Sequence, residues 1–212
     1  TYPTVITVSS TSTTEYSSVL TGNVTLVGTG SIVKRGFQIK PITSSVFLDS
    51  TCETGSFLTG SYTLSTNGSC AGVPAPVLSC NTTYNYRAIA YNAVGSSTGS
   101  TQSFRTSLCP TVPVIAANTT AVASTTSVVL SASITSTGGV SYPVTTRGFE
   151  YGTTTMYGQT VSENGSFGAG FYTLTATGLT CGTLYHYHPY AVNGIGPNTT
   201  APDKTFTTSA CP

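Results

Sequence analysis

Charge is what this sequence lacks most. Asp, Glu, Lys and Arg make up 6% of its 212 residues, against roughly 25% in an ordinary soluble domain. Seven cations and six anions are scattered singly, for a net charge of +1. That leaves no electrostatic footprint for nucleic acid or an anionic membrane surface. No apolar run approaches the roughly 18 residues that a membrane-spanning helix needs. There is no Trp, one Met and two His, so chemistry that depends on imidazole has little to draw on. No CxxC spacing occurs among the six cysteines, which argues against structural zinc. The chain opens on Thr1 without an initiator Met or a signal-peptide apolar stretch, and is expected to be a mature chain or part of a longer one.

Ser and Thr fill about a third of the positions, so the surface is wet yet nearly uncharged. An even number of cysteines in such a chain reads as three disulfides formed in an oxidising, extracellular compartment.

An internal repeat organises the sequence. Leu78-Ser-Cys80-Asn-Thr82-Thr-Tyr84 recurs as Leu179-Thr-Cys181-Gly-Thr183-Leu-Tyr185, and Ala90-Tyr-Asn92-Ala-Val-Gly95 as Ala191-Val-Asn193-Gly-Ile-Gly196. Upstream, Arg35-Gly36-Phe37 matches Arg147-Gly148-Phe149, and Tyr62-Thr-Leu64 matches Tyr172-Thr-Leu174. The copies close on Cys109-Pro110 and Cys211-Pro212, and their starts align as Pro3-Thr-Val5 with Pro110-Thr-Val112. The expected domains are therefore residues 1–109 and 110–212. Within each copy apolar residues alternate with polar ones: Leu20, Gly22, Val24 and Leu26; Leu130, Ala132 and Ile134; Tyr84, Tyr86, Ala88 and Ala90; Tyr185, Tyr187, Pro189 and Ala191. A period of two with β-branched and aromatic residues means half-buried strands, and no capped helical stretch appears. About seven strands per 100 residues fit a β-sandwich.

The pattern Leu-x-Cys-x-Thr-x-Tyr-x-x-x-Ala-x-Ala-x-Asn, followed by Gly, resembles the E–F corner and strand F of fibronectin type III domains. Cys80 and Cys181 stand where that family usually has Pro. Arg-Gly-Phe and Thr205-Phe-Thr-Thr208 are similar to such repeats in microbial surface proteins. The resemblance covers both copies and implies an all-β fold of two tandem Ig-like/fibronectin type III-like sandwich domains. It also implies corner tyrosines at Tyr84 and Tyr185, ring buried and hydroxyl bonded to backbone. It says little about function, because this sandwich hosts many roles.

Six cysteines allow 15 pairings. Cys80 and Cys109 hold the positions of Cys181 and Cys211, one opening strand F and the other closing strand G, so each couple is expected to pair. Cys52 and Cys70 have no counterparts and are expected to pair with each other, Cys70 lying in an insertion peculiar to copy one. Bonding between subunits is the rival reading.

His186 and His188, at i and i+2 on a strand, share a face. They are the metal-ligand candidates, but no acid is expected beside them, and the plainer reading is two surface residues. Six of nine Asn sit in Asn-x-Ser/Thr sequons: Asn23, Asn67, Asn81, Asn118, Asn164 and Asn198. That is about twice the chance number and favours glycosylation. Glu53 and Glu163 occupy equivalent positions, as do Arg35 and Arg147, so these read as features of the repeat. No catalytic constellation and no cofactor site is expected, and the chain is not expected to be an enzyme.

Val5-Ile6-Thr-Val8 is β-prone and uncharged, an unblunted strand that invites pairing with another chain. Val5, Ile6 and Val8 are therefore the assembly candidates. Because the internal boundary resembles both chain ends, the two-domain unit is expected to be a link in a longer structure. The leading expectation is a subunit of an extracellular, cell-surface filament or pilus, assembled head to tail from copies of itself, with a strand shared between subunits. The alternative is an adhesive or glycan-binding stalk of a larger surface protein, with Tyr91, Tyr157 and Tyr190 as groove candidates. Neither reading involves nucleic acid or membrane insertion.

Overall fold

The computed structural model describes residues 1–70, 72–116, 120–198 and 201–212. The chain divides into two units, Thr1–Cys109 and Pro110–Pro212. Every regular element among the described residues is a β-strand.

The first unit contains β1 (Thr4–Thr11), β2 (Val19–Leu26), β3 (Ile32–Pro41), β4 (Leu48–Phe57), β5 (Gly60–Ser65), β6 (Thr83–Tyr91), β7 (Ser96–Thr98) and β8 (Gln102–Arg105). They form one sheet in the order β1-β2-β5 and a second in the order β4-β3-β6, with β7 and β8 both on the far edge of β6. In the second unit β9 (Val114–Ile115) and β10 (Thr120–Ala123) both pair one edge of β11 (Ser127–Ser136), and β14 (Gly170–Thr177) pairs the other. The other sheet runs β13 (Gln159–Phe167), β12 (Val144–Gly152), β15 (Leu184–Val192), β16 (Lys204–Thr207). All pairings are antiparallel. Each unit is thus a two-sheet sandwich of the Ig-like and fibronectin type III-like kind, with strands A, B and E facing C′, C, F and G.

The cores are near copies. Leu20, Val24, Phe37, Tyr62, Tyr84, Tyr86 and Phe104 are buried in the first, and Leu130, Ile134, Phe149, Tyr172, Tyr185, Tyr187 and Phe206 in the second. Tyr84 stacks on Phe104 at 5.6 Å and Tyr185 on Phe206 at 5.4 Å. The corner tyrosine hydroxyls accept backbone N–H bonds from Ser79 (2.8 Å) and Thr180 (3.1 Å). In Arg-Gly-Phe the glycine is a matter of space. A Cβ on Gly36 would run into the Thr51 carbonyl, and one on Gly148 into that of Val161. Pro189 sits in mid-strand at the position of Ala88. It breaks no bond to β16, which pairs only with Leu184–Tyr187.

Two sequence expectations change here. Leu26 does not continue the inward row and is 51% exposed, at the last residue of β2 and beyond the end of its ladder to β5. The strand-A starts also align differently. The Asn92 side chain donates to the carbonyls of Thr1 and Val27, both at 2.9 Å, while Asn193 donates to Thr111 (2.8 Å) and Thr137 (2.7 Å). Thr1 is therefore the counterpart of Thr111, and the buried Pro3 matches the buried Pro113 rather than Pro110.

Disulfides join Cys52–Cys70, Cys80–Cys109 and Cys181–Cys211, all within their units, and no cysteine is free. The latter two tie the start of strand F to the chain just past strand G. The first ties β4 to the segment after β5.

Candidate functional site

The histidines lie on the outer face of the second unit, on β15, opposite the buried Tyr185 and Tyr187. Acids meet both of them, which corrects the sequence expectation. His188 Nε2 is 2.7 Å from Glu150 Oε2, its cross-strand neighbour on β12. His186 Nδ1 is 2.9 Å from Asp203 Oδ2, just before β16. These acids are 38 and 17 residues away in sequence and reach the histidines only through strand pairing. Tyr157 donates its hydroxyl to Asp203 Oδ1 (3.0 Å) and lays its ring 4.4 Å from that of His188. The turn that delivers Tyr157 closes tightly on Gly152, where a Cβ would strike the Tyr157 carbonyl. Partial burial would raise the Asp203 carboxyl, but the bonds from His186 and Tyr157 and the imidazole charges outweigh it and hold the group below its ordinary range. Partial burial and the neighbouring Asp203 push Tyr157 up to about 12. The two imidazoles face two separate carboxylates. Among the described residues no group of three or more His, Cys, Asp and Glu could hold a metal ion.

The corresponding face of the first unit carries a different network. Asp49 Oδ2 meets Lys34 Nζ at 2.6 Å and accepts from the Tyr91 hydroxyl at 3.0 Å, while Gln38 donates to Asp49 Oδ1 at 2.8 Å. Arg87, in the place of His188, donates to Gln38 (2.8 Å) and covers the Phe47 ring at 4.2 Å. Burial works against the Asp49 charge, yet the three bonds prevail and lower its pKa. Tyr91, in turn, is pushed up to about 12 by burial and by Asp49. Tyr91 belongs to this face, whereas Tyr157 and Tyr190 belong to the second unit.

The equivalent Arg and Glu residues form one device in both units. Arg35 pairs with Glu53 (2.5 Å) and lies over Phe57 and Tyr62; Arg147 pairs with Glu163 (2.7 Å) and lies over Phe167 and Tyr172. These pairs are half-buried and their charges are consumed within the sheet.

Charge is segregated by sheet. No Asp, Glu, Lys, Arg or His occurs in β1, β2, β5, β9, β10, β11 or β14. Apart from the buried Glu15 between β1 and β2, every charged residue lies on or beside the other sheet of its unit. Sequence reading missed this, although charge-free segments were visible, because sheet membership is needed to group them.

Of the assembly candidates, Val5 is 4% exposed in the core of its own unit, while Ile6 (45%) and Val8 (43%) point outward. The free edge of β1 is not unblunted, contrary to expectation. The Gln102 side chain donates to the carbonyls of Thr7 (3.1 Å) and Val8 (3.3 Å), and the Ser97 hydroxyl to that of Pro3 (2.7 Å). The edge of β4 is likewise met by the stapled insertion, where Cys52 donates its N–H to the Ser69 carbonyl.

Among the sequons, Asn67, Asn81 and Asn164 are exposed, and Asn23 is half-buried in the middle strand of its sheet. Asn81 and Asn164 accept side-chain bonds from Arg105 and Thr146, and the Asn198 carboxamide accepts from the Ala191 N–H. Asn118 lies outside the described residues.

No protein-family model matches the chain. No curated protein matches it either. Among solved structures, it is similar to the sensor domain of the anti-sigma factor RsgI4 of Pseudobacteroides cellulosolvens. That match has 15% identity and a TM-score of 0.38, covering 51% of this chain and 98% of the other. It is also similar to the FN1-FN3 domains of chicken CNTN1, at 15% identity and a TM-score of 0.35, covering 90% of this chain and 60% of that one. The architecture rests on the strand order above, not on these likenesses.

Proposed function

We propose that the chain is a non-catalytic structural unit of an extracellular filament or surface polymer, built from copies of itself. Three disulfides fit an oxidising compartment. The observation that carries the reading is the segregation of charge. Natural sheets commonly keep monomers apart with charged residues and prolines at edges. Here one sheet of each unit has neither within its strands, while the opposite sheet holds nearly all the charge. Such a chain is fitted to associate through one side of each sandwich and to stay hydrated through the other. Electron microscopy of the purified, oxidised protein at increasing concentration tests this. Polymers are expected; particles that stay single at every concentration would sink the reading.

A second reading is favoured by the outer face of the first unit. There Tyr91 and Phe47 stand beside Asp49, Gln38 and Arg87, the mix of rings, carboxylate and amide that engages sugars. A glycan array separates the two. Binding that is lost in Tyr91→Ala would support an adhesive module, and a blank array would remove it.

A further inference from the structure

Every sheet has two edges, and in the first unit the uncharged sheet treats them unequally. The first edge of the uncharged sheet in unit one, β1, is capped by Gln102 and Ser97. The opposite edge is β5, and its counterpart in unit two is β14. Among the described residues, no backbone bond outside the ladders to β2 and β11 involves any residue from Gly60 to Leu64 or from Gly170 to Thr177. Both strands are free of charge and of proline, reading GSYTLS and GFYTLTAT. The outward side chains are small and hydroxylated, Thr63 and Ser65 in one and Thr173, Thr175 and Thr177 in the other, with Phe171 68% exposed beside them. The edge of β13 differs, because it carries Glu163 and the sequon Asn164.

We propose that β5 and β14 are the assembly edges, and that each pairs antiparallel with the same strand of a second copy. The occupant is the chain itself. Two uncharged, hydroxyl-bearing strands meet without like-charge repulsion and leave no charge to desolvate. The proposal rests on the filament reading and says how the filament is joined. A strand paired with its own copy is a two-fold, self-complementary contact, and one such contact alone closes at a dimer. Each chain has two of them, one per unit, so alternating β5–β5 and β14–β14 contacts carry assembly past the dimer. No donated strand is required, which agrees with β1 seated in its own sheet.

The test is sedimentation velocity on the full, oxidised chain and three variants: Thr63→Lys/Ser65→Lys, Thr173→Lys/Thr175→Lys, and the four changes together. All four positions are exposed, so circular dichroism should match the parent, and melting should fall only slightly in the variants that lose the Ser65 hydroxyl, which accepts the Asn67 N–H. Polymers are expected for the parent. Each two-change variant should stop at twice the monomer mass, and the four-change variant should stay monomeric. Hydrogen exchange gives a second readout: amides of β5 and β14 should gain protection as the parent polymerises, while those of the capped β1 should not. If the four-change variant polymerises like the parent, the edges are overturned and the filament reading survives. If the parent never polymerises, both fall.

Discussion

Asn92 and Asn193 show how much a single side chain can organise here. Each is buried and uses all four of its hydrogen-bonding positions, accepting two N–H bonds from the F–G turn and donating to two carbonyls near the start of strand A and the end of strand B. Alanine at 193 would take the donor from the Thr111 and Thr137 carbonyls and the acceptor from the Ile195 N–H, and would leave the Gly196 N–H only the Asn193 backbone carbonyl. Asn193→Ala is therefore expected to destabilise the second unit by about 3 kcal/mol, read as a shift in its urea midpoint with the first unit's transition unmoved. The carboxylates set the acid response. Asp49 and Asp203 are both held below the ordinary carboxyl value of 3.8 in the folded chain. A depressed folded pKa contributes stability that is present above the unfolded value and is lost as pH falls through the folded one. Melting temperature should thus fall in acid, below about pH 4. Asp49→Asn should lessen that slope, and an unchanged slope would remove Asp49 as a cause.

At the level of elements, the disulfides should not be equivalent. In the chain-entropy picture each closure contributes about 3–4 kcal/mol, but Cys80–Cys109 and Cys181–Cys211 also fix strand G. Cys181→Ser/Cys211→Ser should lower the melting temperature and raise exchange in β16. Cys52→Ser/Cys70→Ser should raise exchange in β4 and leave β8 protected. Pairing was legible in the sequence because the repeat placed four cysteines in register and left two over. Corner tyrosines and inward rows were legible for a related reason: period and repeat are local signals. What the sequence hid was long-range. The strand-A starts were set against the wrong proline because Pro-Thr-Val happens to recur at Pro110, whereas the true register is held by Asn193 reaching Thr111, 82 residues away. The acids beside His186 and His188 were invisible for the same reason. The capping of β1 by Gln102 needs the fold as well, since it joins residues 94 and 95 apart.

For the whole molecule, the separation of charge into one sheet per unit makes a prediction about solution behaviour. Contacts between charged surfaces weaken steeply with salt. Association through charge-free strands should not. The concentration at which the chain polymerises is expected to be nearly the same at low and high sodium chloride, as measured by light scattering. A strong salt dependence would point to the charged sheets instead. Each unit also has its own core, so calorimetry should resolve two transitions that respond separately to substitutions in one unit.

The bond between Cys80 and Cys109 has a mechanical consequence. Tension arriving from the C-terminal side reaches Cys109 and passes directly into Cys80, so strand G is not in the load path and cannot be peeled. Cys181 and Cys211 do the same for the second unit. A pulled unit can yield only from its strand-A end. The loops closed by these bonds, between cysteines 29 and 30 positions apart, then stay folded back. Under a force probe, each rupture should release less chain than the unit's length implies, and the missing extension should reappear when the thiols are reduced.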